Sequence, residues 1–455
     1  MSLRSVFVLG ILIPGMFVAL AHRFAGLLLY IWFALFRPQE WLWIDISALR
    51  PSLIIGLLLV VPSLITGVFP NLTHPLSLGA IAFVVFSVIA QAVAVDPQVG
   101  WMWLDYLIRL VMVCLLMITI VDTPKRLATT LIVMAGSFGF HGAKAGLASL
   151  LAGGVQFYDG LAGAFVDNNG YALGCVMVMP LLVAAGQNFH LLFRGSTLES
   201  PRHWARFLFF AAVPLCAFAV VSLFSRGAFV ALVATAIAFA LVQKRRLLAV
   251  MALCVLVAGA YAVVPMPKGY TDRLSTIQNY DEVEDTSALG RLHFWRVAVR
   301  MSLDRPLGVG LRGFEEAYDQ YDTSFGDYGR RRAVHNSHLQ VLTDIGFGGG
   351  FAYVVLIGYS VFLALRMRAR ALRSGVPTGA SRFFVSISNA SIASMTAYVV
   401  GGCFVSMPLN DLTWLTFALV ASLDRLAAQH CPQPQRAALP AQVMFSTPVA
   451  AQRSV

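Results

Sequence analysis

The sequence predicts an all-α, polytopic membrane protein, and three observations carry that expectation. Of the 455 residues, 58% are hydrophobic and only 12% are charged, with a mean hydropathy of +0.75, more apolar surface than a soluble chain of this length can bury. The apolar residues gather into about 12 runs long enough, or nearly so, to cross a bilayer at about 1.5 Å per residue. The polar stretches between them are mostly short, so the backbone must satisfy itself in lipid as helices, not as the weakly alternating strands of a barrel.

In chain order the runs lie near residues 5–22, 24–44, 52–69, 76–95, 103–121, 127–151, 171–193, 205–224, 227–242, 247–264, 340–365 and 383–406. The first two either cross separately or share one crossing, and a shorter run at 412–423 either adds a span or completes the last. The first run lacks a small-residue cleavage site and is expected to stay as a span. Membrane helices therefore make up residues 1–428, and a tail rich in Ala, Pro and Gln from 429 to 455 is expected to be disordered and cytoplasmic.

Orientation follows from the short basic loops at Lys125 and Arg126; Arg194, Arg202 and Arg206; Lys244, Arg245 and Arg246; and Arg366 to Arg382. They alternate along the chain as cytoplasmic loops should. By elimination the loop from 265 to 338 faces outward, into the periplasm if the cell is Gram-negative. That loop holds 10 Lys/Arg and 11 Asp/Glu, leaving 23 of the 33 basic but only 11 of the 22 acidic residues elsewhere. The net charge of +11 thus reports topology, and no soluble basic domain suggests nucleic-acid binding. Five of the six cysteines sit in apolar runs and Cys431 in the tail, with no disulfide framework or metal-ligand spacing.

Within the external loop, Leu289, Leu292, Trp295, Val299 and Leu303 recur at helical spacing, predicting an amphipathic helix over Thr286–Leu303 that lies on the membrane or over a cavity. Its polar face is expected to carry Arg291, Arg296 and Arg300. Asp304-Arg305-Pro306 and the glycines Gly308, Gly310 and Gly313 then break it. At the end of the loop Ser337 and Gln340 have the spacing of a capping box, predicting a helix from Ser337 with His335 just outside its mouth.

Ionisable residues in or at the ends of spans are the candidate site. Arg226, in LFSRGAF, falls where two helices meet at the external face. It either snorkels and caps the turn or serves as a fixed cation for an anionic substrate, helped by the N-terminus that Ser225 caps. Arg291 is either a solvated face residue or a second such cation. Lys144 and His141, three apart, are further intramembrane candidates, and Arg109, four after Asp105, reads mainly as a mutual neutralisation. His335 and His338 lack the partners of a metal site. As a lone imidazole His335 is either a hydrogen-bonded structural residue or a general base, kept neutral by the helix N-terminus.

Several motifs carry a resemblance to a known family. His335-Asn336, nine residues, Gly346, two residues and Gly349 match the ligase signature of the O-antigen ligase and polymerase superfamily, the bacterial membrane enzymes that handle polyprenyl-linked glycans. SRG at Ser225–Gly227, GRLHFW at Gly290–Trp295 and RPLGVGLRGF at Arg305–Phe314 follow in the family's order, and FRPQEW at Phe36–Trp41 looks like a subgroup of O-glycosylation ligases linked to exosortase systems. The resemblance implies a glycosyltransferase of the bacterial inner membrane in lipopolysaccharide biosynthesis. Its donor would be an undecaprenyl-diphosphate-linked glycan, its acceptor a lipid A core sugar, and the reaction inverting, without metal or other cofactor. It implies His335 as the base and Arg226 and Arg291 as ligands of the donor diphosphate. Asn169 falls in Asp167-Asn168-Asn169, which corresponds to a family Asp-Pro-Asn element with Asn168 in place of proline. An O-antigen polymerase or a protein O-oligosaccharyltransferase shares this donor chemistry. A transporter or lipid flippase would also tolerate about 12 spans, but the sequence has no internal repeat and its single large external loop suits an enzyme.

Overall fold

The computed structural model describes residues 3–42, 46, 49–154, 157, 160–161, 165–192, 202–251, 254 and 286–431. The run at 247–264, the start of the external loop and the tail from 432 lie largely or wholly outside the described residues.

The chain is an all-α polytopic membrane protein. Its helices are α1 (Leu3–Ala21), α2 (Arg23–Phe36), α3 (Pro51–Ile65), α4 (Pro75–Ala92), α5 (Pro97–Ile120), α6 (Pro124–Leu151), α7 (Asn168–Asn188), α8 (Arg202–Ser222) and α9 (Arg226–Leu241). After the loop segment come α10 (Thr286–Asp304), α11 (Gly313–Tyr321), α12 (Ser337–Arg373), α13 (Thr378–Gly401) and α14 (Asp411–His430). Among the described residues seven helices are long and apolar enough to cross a membrane: α1, α4, α5, α7 with its short extension, α8, α12 and α13. The shorter apolar helices are α2, α3 and α9. The first two runs form an antiparallel pair turning at His22, since Phe7 lies 6.5 Å from Phe36 between ring centroids and Gly15 packs on Leu29. The run at 412–423 belongs to a 20-residue helix ending at His430, two residues past the expected end of the membrane region at 428.

Sequence sets most of these starts. Proline occupies the first turn of α3, α4, α5 and α6, where its missing N–H costs nothing. Asp96 caps α5 and Thr123 caps α6 with side-chain oxygens on first-turn amides. Helices α7 and α14 are buried almost all round, with Trp414 and Leu173 inside the main core.

The bundle has two distinct ends. At one, Arg368 donates to the Val242 carbonyl and to Asn389, Arg425 bonds the Ile118 carbonyl, and Arg126 lies over Phe24. The basic loops thus gather there. At the other end lie Arg37, Arg226, Arg312 and His335, with Arg37 3.3 Å from the buried Asp411. The FRPQEW motif is therefore anchored by an ion pair to the start of α14, and His141 Nε2 holds the adjacent Phe36 carbonyl at 2.7 Å.

Residues 286–335 fold into a lobe around Phe294, Val297, Ala298, Met301, Phe314 and Tyr318. Helix α10 contributes to it a second apolar stripe, beside the one expected to lie on the membrane or over a cavity. Leu289, Leu292, Val299 and Leu303 are exposed, while Gly290, Phe294, Ala298 and Met301 face inward. The sequence reading found the first stripe alone; the one holding Phe294 turns inward because it packs against α11 and α12. The three arginines consequently separate: Arg296 and Arg300 share the exposed stripe, whereas Arg291, seven residues before Ala298, lies at the margin of the buried one.

RPLGVGLRGF docks into a break in α12. Gly346 has φ 74° and ψ −173° inside that helix. The freed backbone is satisfied by the loop: Phe347 N donates to the Pro306 carbonyl at 3.0 Å, Val309 N to Thr343 and Gly310 N to Asp344. The Asp344 carboxylate accepts from Arg312 N at 3.0 Å and Phe314 N at 3.1 Å, capping α11 from another helix. A side chain at 346 would meet the Pro306 carbonyl oxygen at 2.3 Å. Gly346→Ala is therefore expected to lower the melting temperature of the detergent-solubilised protein, the backbone strain alone costing about 1–3 kcal/mol. An unchanged melting curve would contradict this account of the break.

Candidate active site

The local fold around each candidate follows from helix starts. Asp167 caps α7, accepting from Asn169 N at 2.8 Å and Gly170 N at 3.0 Å. Asn168 then donates to the Leu223 carbonyl at 3.1 Å, a bond that proline at this position could not make. Asn169 Oδ1 accepts from Ser225 Oγ at 2.8 Å. Ser225 in turn caps α9 by accepting from Ala228 N, so the first residue of α9, Arg226, is positioned by the α7 mouth. Gly227 completes the SRG motif, because a Cβ there would lie 2.5 Å from Phe404 Cβ.

The mouth of α12 is built differently from the capping box expected. Asn336 is the cap, its Oδ1 accepting from His338 N at 3.0 Å and Leu339 N at 3.1 Å. Ser337 instead donates to the Val405 carbonyl at 2.6 Å and accepts from Met407 N at 3.0 Å. The pattern of residue types pointed to a cap one position too late, since Asn and Ser are both competent caps and only the 405–407 contact decides between them.

His335 precedes this cap with φ 49°, and Phe224 next to Ser225 has φ 55°. Non-glycine residues held in this left-handed region carry strain that clusters at functional sites. His335 is half-buried, its ring 6.3 Å from that of Phe294. Burial lowers its pKa below the usual histidine value; the cationic Arg291 and Arg332 push the same way and the Asp167 carboxylate opposes them. The imidazole is thus favoured in its neutral, proton-accepting form.

The structure therefore brings His335 into electrostatic contact with Arg291 and Asp167, and through the Asp167–Asn169–Ser225 chain to Arg226. The N-termini of α7, α9 and α12 meet here, presenting partial positive charge beside guanidinium groups. Asp167 is the member that sequence reasoning left without a role; its legible signal was a helix cap ahead of Asn168-Asn169.

The remaining candidates go elsewhere. His338 Nε2 bonds the Val399 carbonyl at 2.9 Å and packs between Tyr353 and Tyr398, tying α12 to α13. Arg109 pairs with Asp105 at 2.6 Å on α5, the mutual neutralisation expected. Lys144 stands exposed on α6 near His141, whose ring is committed to Phe36. His293, which the sequence did not single out, bonds Asp322 at 2.7 Å and stacks on Tyr328. Burial would raise the Asp322 pKa, but hydrogen bonds from Ser324, Gly326 and His293 outweigh it and hold the carboxyl at about 2, so this turn is a structural clasp for the lobe.

A family described as O-antigen ligase matches residues 210–354, the segment that holds Arg226, Arg291 and His335. A second, described as a family of unknown function, matches residues 3–185. No curated protein matches the chain.

Proposed function

We propose, for a chain that is a member of the O-antigen ligase and polymerase superfamily through residues 210–354, that it is an O-antigen ligase. It transfers a glycan from undecaprenyl diphosphate to a sugar hydroxyl of lipid A core at the periplasmic face of the bacterial inner membrane. The observation that carries this reading is the meeting of a neutral-favoured imidazole, Arg226 and Arg291 at the mouths of three helices.

In this reading Arg226 and Arg291 fork the donor's diphosphate, aided by the N-terminus of α9. Asn169 and Ser225 are positioning residues for Arg226. His335 takes the proton from the acceptor hydroxyl as that oxygen bonds the anomeric carbon. The bond from that carbon to the diphosphate oxygen breaks on the opposite side, inverting the centre, and undecaprenyl diphosphate leaves with its charge met by the guanidinium groups. Lys144 and Arg109 take no part in this scheme, and His338 supports the fold.

The test is reconstitution with a labelled undecaprenyl-diphosphate glycan, offered lipid A core, a second glycan chain and a pilin-type protein in parallel. Label on lipid A core is the expected result. Label on the glycan chain or on the protein would instead assign a polymerase or a protein O-oligosaccharyltransferase, and no label on any acceptor would point to transport.

A further inference from the structure

At the same end of the bundle, on a different side of α12 from His335, a narrow cleft opens between α5, the start of α12 and the segment 405–409. Trp103, Leu311, Arg312, Gln340, Ser406 and Met407 contribute to its walls. Gln340 is 97% buried, as its exposure of 3% implies, yet its Oε1 and the buried Oγ of Ser406 have no hydrogen-bond partner among the described residues. Leaving buried polar atoms unpaired destabilises the fold, so two in one cleft mark a place built to receive hydrogen bonds from outside.

Charge decides what kind of ligand fits. The Arg312 guanidinium is already paired with Glu315 at 3.1 Å and lies 4.8 Å over the Trp103 ring. Its backbone N–H is held by Asp344. The cleft is therefore not a free cation site for phosphate. The carboxyl of Asp344 also lines it, held by the amides of Arg312 and Phe314, so an anion is disfavoured; what the cleft offers is an amide oxygen, a hydroxyl, guanidinium N–H groups and apolar walls with an indole, a set suited to a neutral, hydroxyl-rich ring. It is also coupled to the mouth of α12: Ser337, two residues after His335, bonds Val405 and Met407 on either side of Ser406.

We propose that this cleft, lined by Trp103, Arg312, Gln340 and Ser406, binds a sugar ring of the acceptor glycan and so selects the acceptor; as an acceptor subsite it rests on the glycan-transfer reading above. Arg312 then has two duties, docking the loop on α12 through its backbone and walling the subsite with its side chain.

The experiment is calorimetric titration of the full-length protein in nanodiscs with core oligosaccharide freed of its lipid, paired with transfer kinetics. Gln340→Leu and Ser406→Ala are each expected to weaken oligosaccharide binding about tenfold, the scale of one lost hydrogen bond to a buried group. They should raise acceptor KM by the same factor, with donor affinity unchanged. Ser406 lies outside the helices, so Ser406→Ala keeps the test open if Gln340→Leu reduces folded yield. Absence of oligosaccharide binding by the wild type, or equal affinity in both variants, overturns the subsite. Binding that both variants weaken, in a protein that labels no acceptor, sustains the sugar cleft and removes the glycan-transfer reading. Transfer with acceptor KM unchanged in both does the opposite.

Discussion

Replacing His335 with alanine is expected to abolish glycan transfer while the protein still inserts and still binds the lipid-linked donor. General-base catalysis contributes about 10²–10⁴-fold, and the rings of the neighbouring described histidines are committed elsewhere: His338 to Val399 and His293 to Asp322. The pH profile supplies an independent check. Because burial and then Arg291 push the His335 pKa down, the neutral base persists as pH falls below the ordinary histidine value of about 6.5, and transfer is lost only at lower pH, when the ring gains a proton. Arg291→Gln removes a depressing charge and should move this acid limb to higher pH. Asp167→Asn removes the opposing carboxylate and should move it lower. Near-normal transfer by His335→Ala in purified protein, with donor and acceptor supplied, would eliminate the base assignment.

Arg226→Ala and Arg291→Ala are each expected to weaken donor binding by roughly 1.5–3 kcal/mol, the loss of a charge-assisted contact, which is about 10- to 150-fold in Kd. Two features separate them. Arg226 is the first residue of α9, next to the Ser225 cap that Asn169 holds, so Asn169→Ala should mimic part of the Arg226→Ala defect by loosening the turn. Arg291 also faces His335, so its removal alters both donor affinity and the acid limb. Donor affinity unchanged in both arginine variants would exclude them as diphosphate ligands.

The break in α12 illustrates why motif and role are distinct. Gly346 and Gly349 carry the resemblance, yet neither touches the His335 mouth. Gly346 admits the backbone of residues 306–309, Gly348 lets the Phe86 ring of α4 approach α12, and Gly349 leaves room for the side chain of Ile345. Asp344, two residues before Gly346, caps α11 by accepting from Arg312 N and Phe314 N. These residues act on the site by fixing where the lobe sits, and through it where Arg291 points.

By itself the sequence determined the class of the protein and most helix positions, and it set Arg226, Arg291 and His335 at one end of the bundle. Those properties follow from hydropathy, from helix-starting residues and from the alternation of basic loops, all local or additive along the chain. Only the tertiary structure decided which face of α10 turns inward, which of Asn336 and Ser337 caps α12, and that Asp167 reads the charge of His335. Each of these was a choice between two locally equivalent patterns. Two apolar stripes on α10, or two competent caps before α12, have similar intrinsic energies, and contacts from distant segments settle them: Phe314 and Tyr318 against Phe294, and Val405 and Met407 against Ser337. The same turn separates three similar arginines: Arg291 acts electrostatically on His335, and Arg296 and Arg300 stay in the exposed stripe.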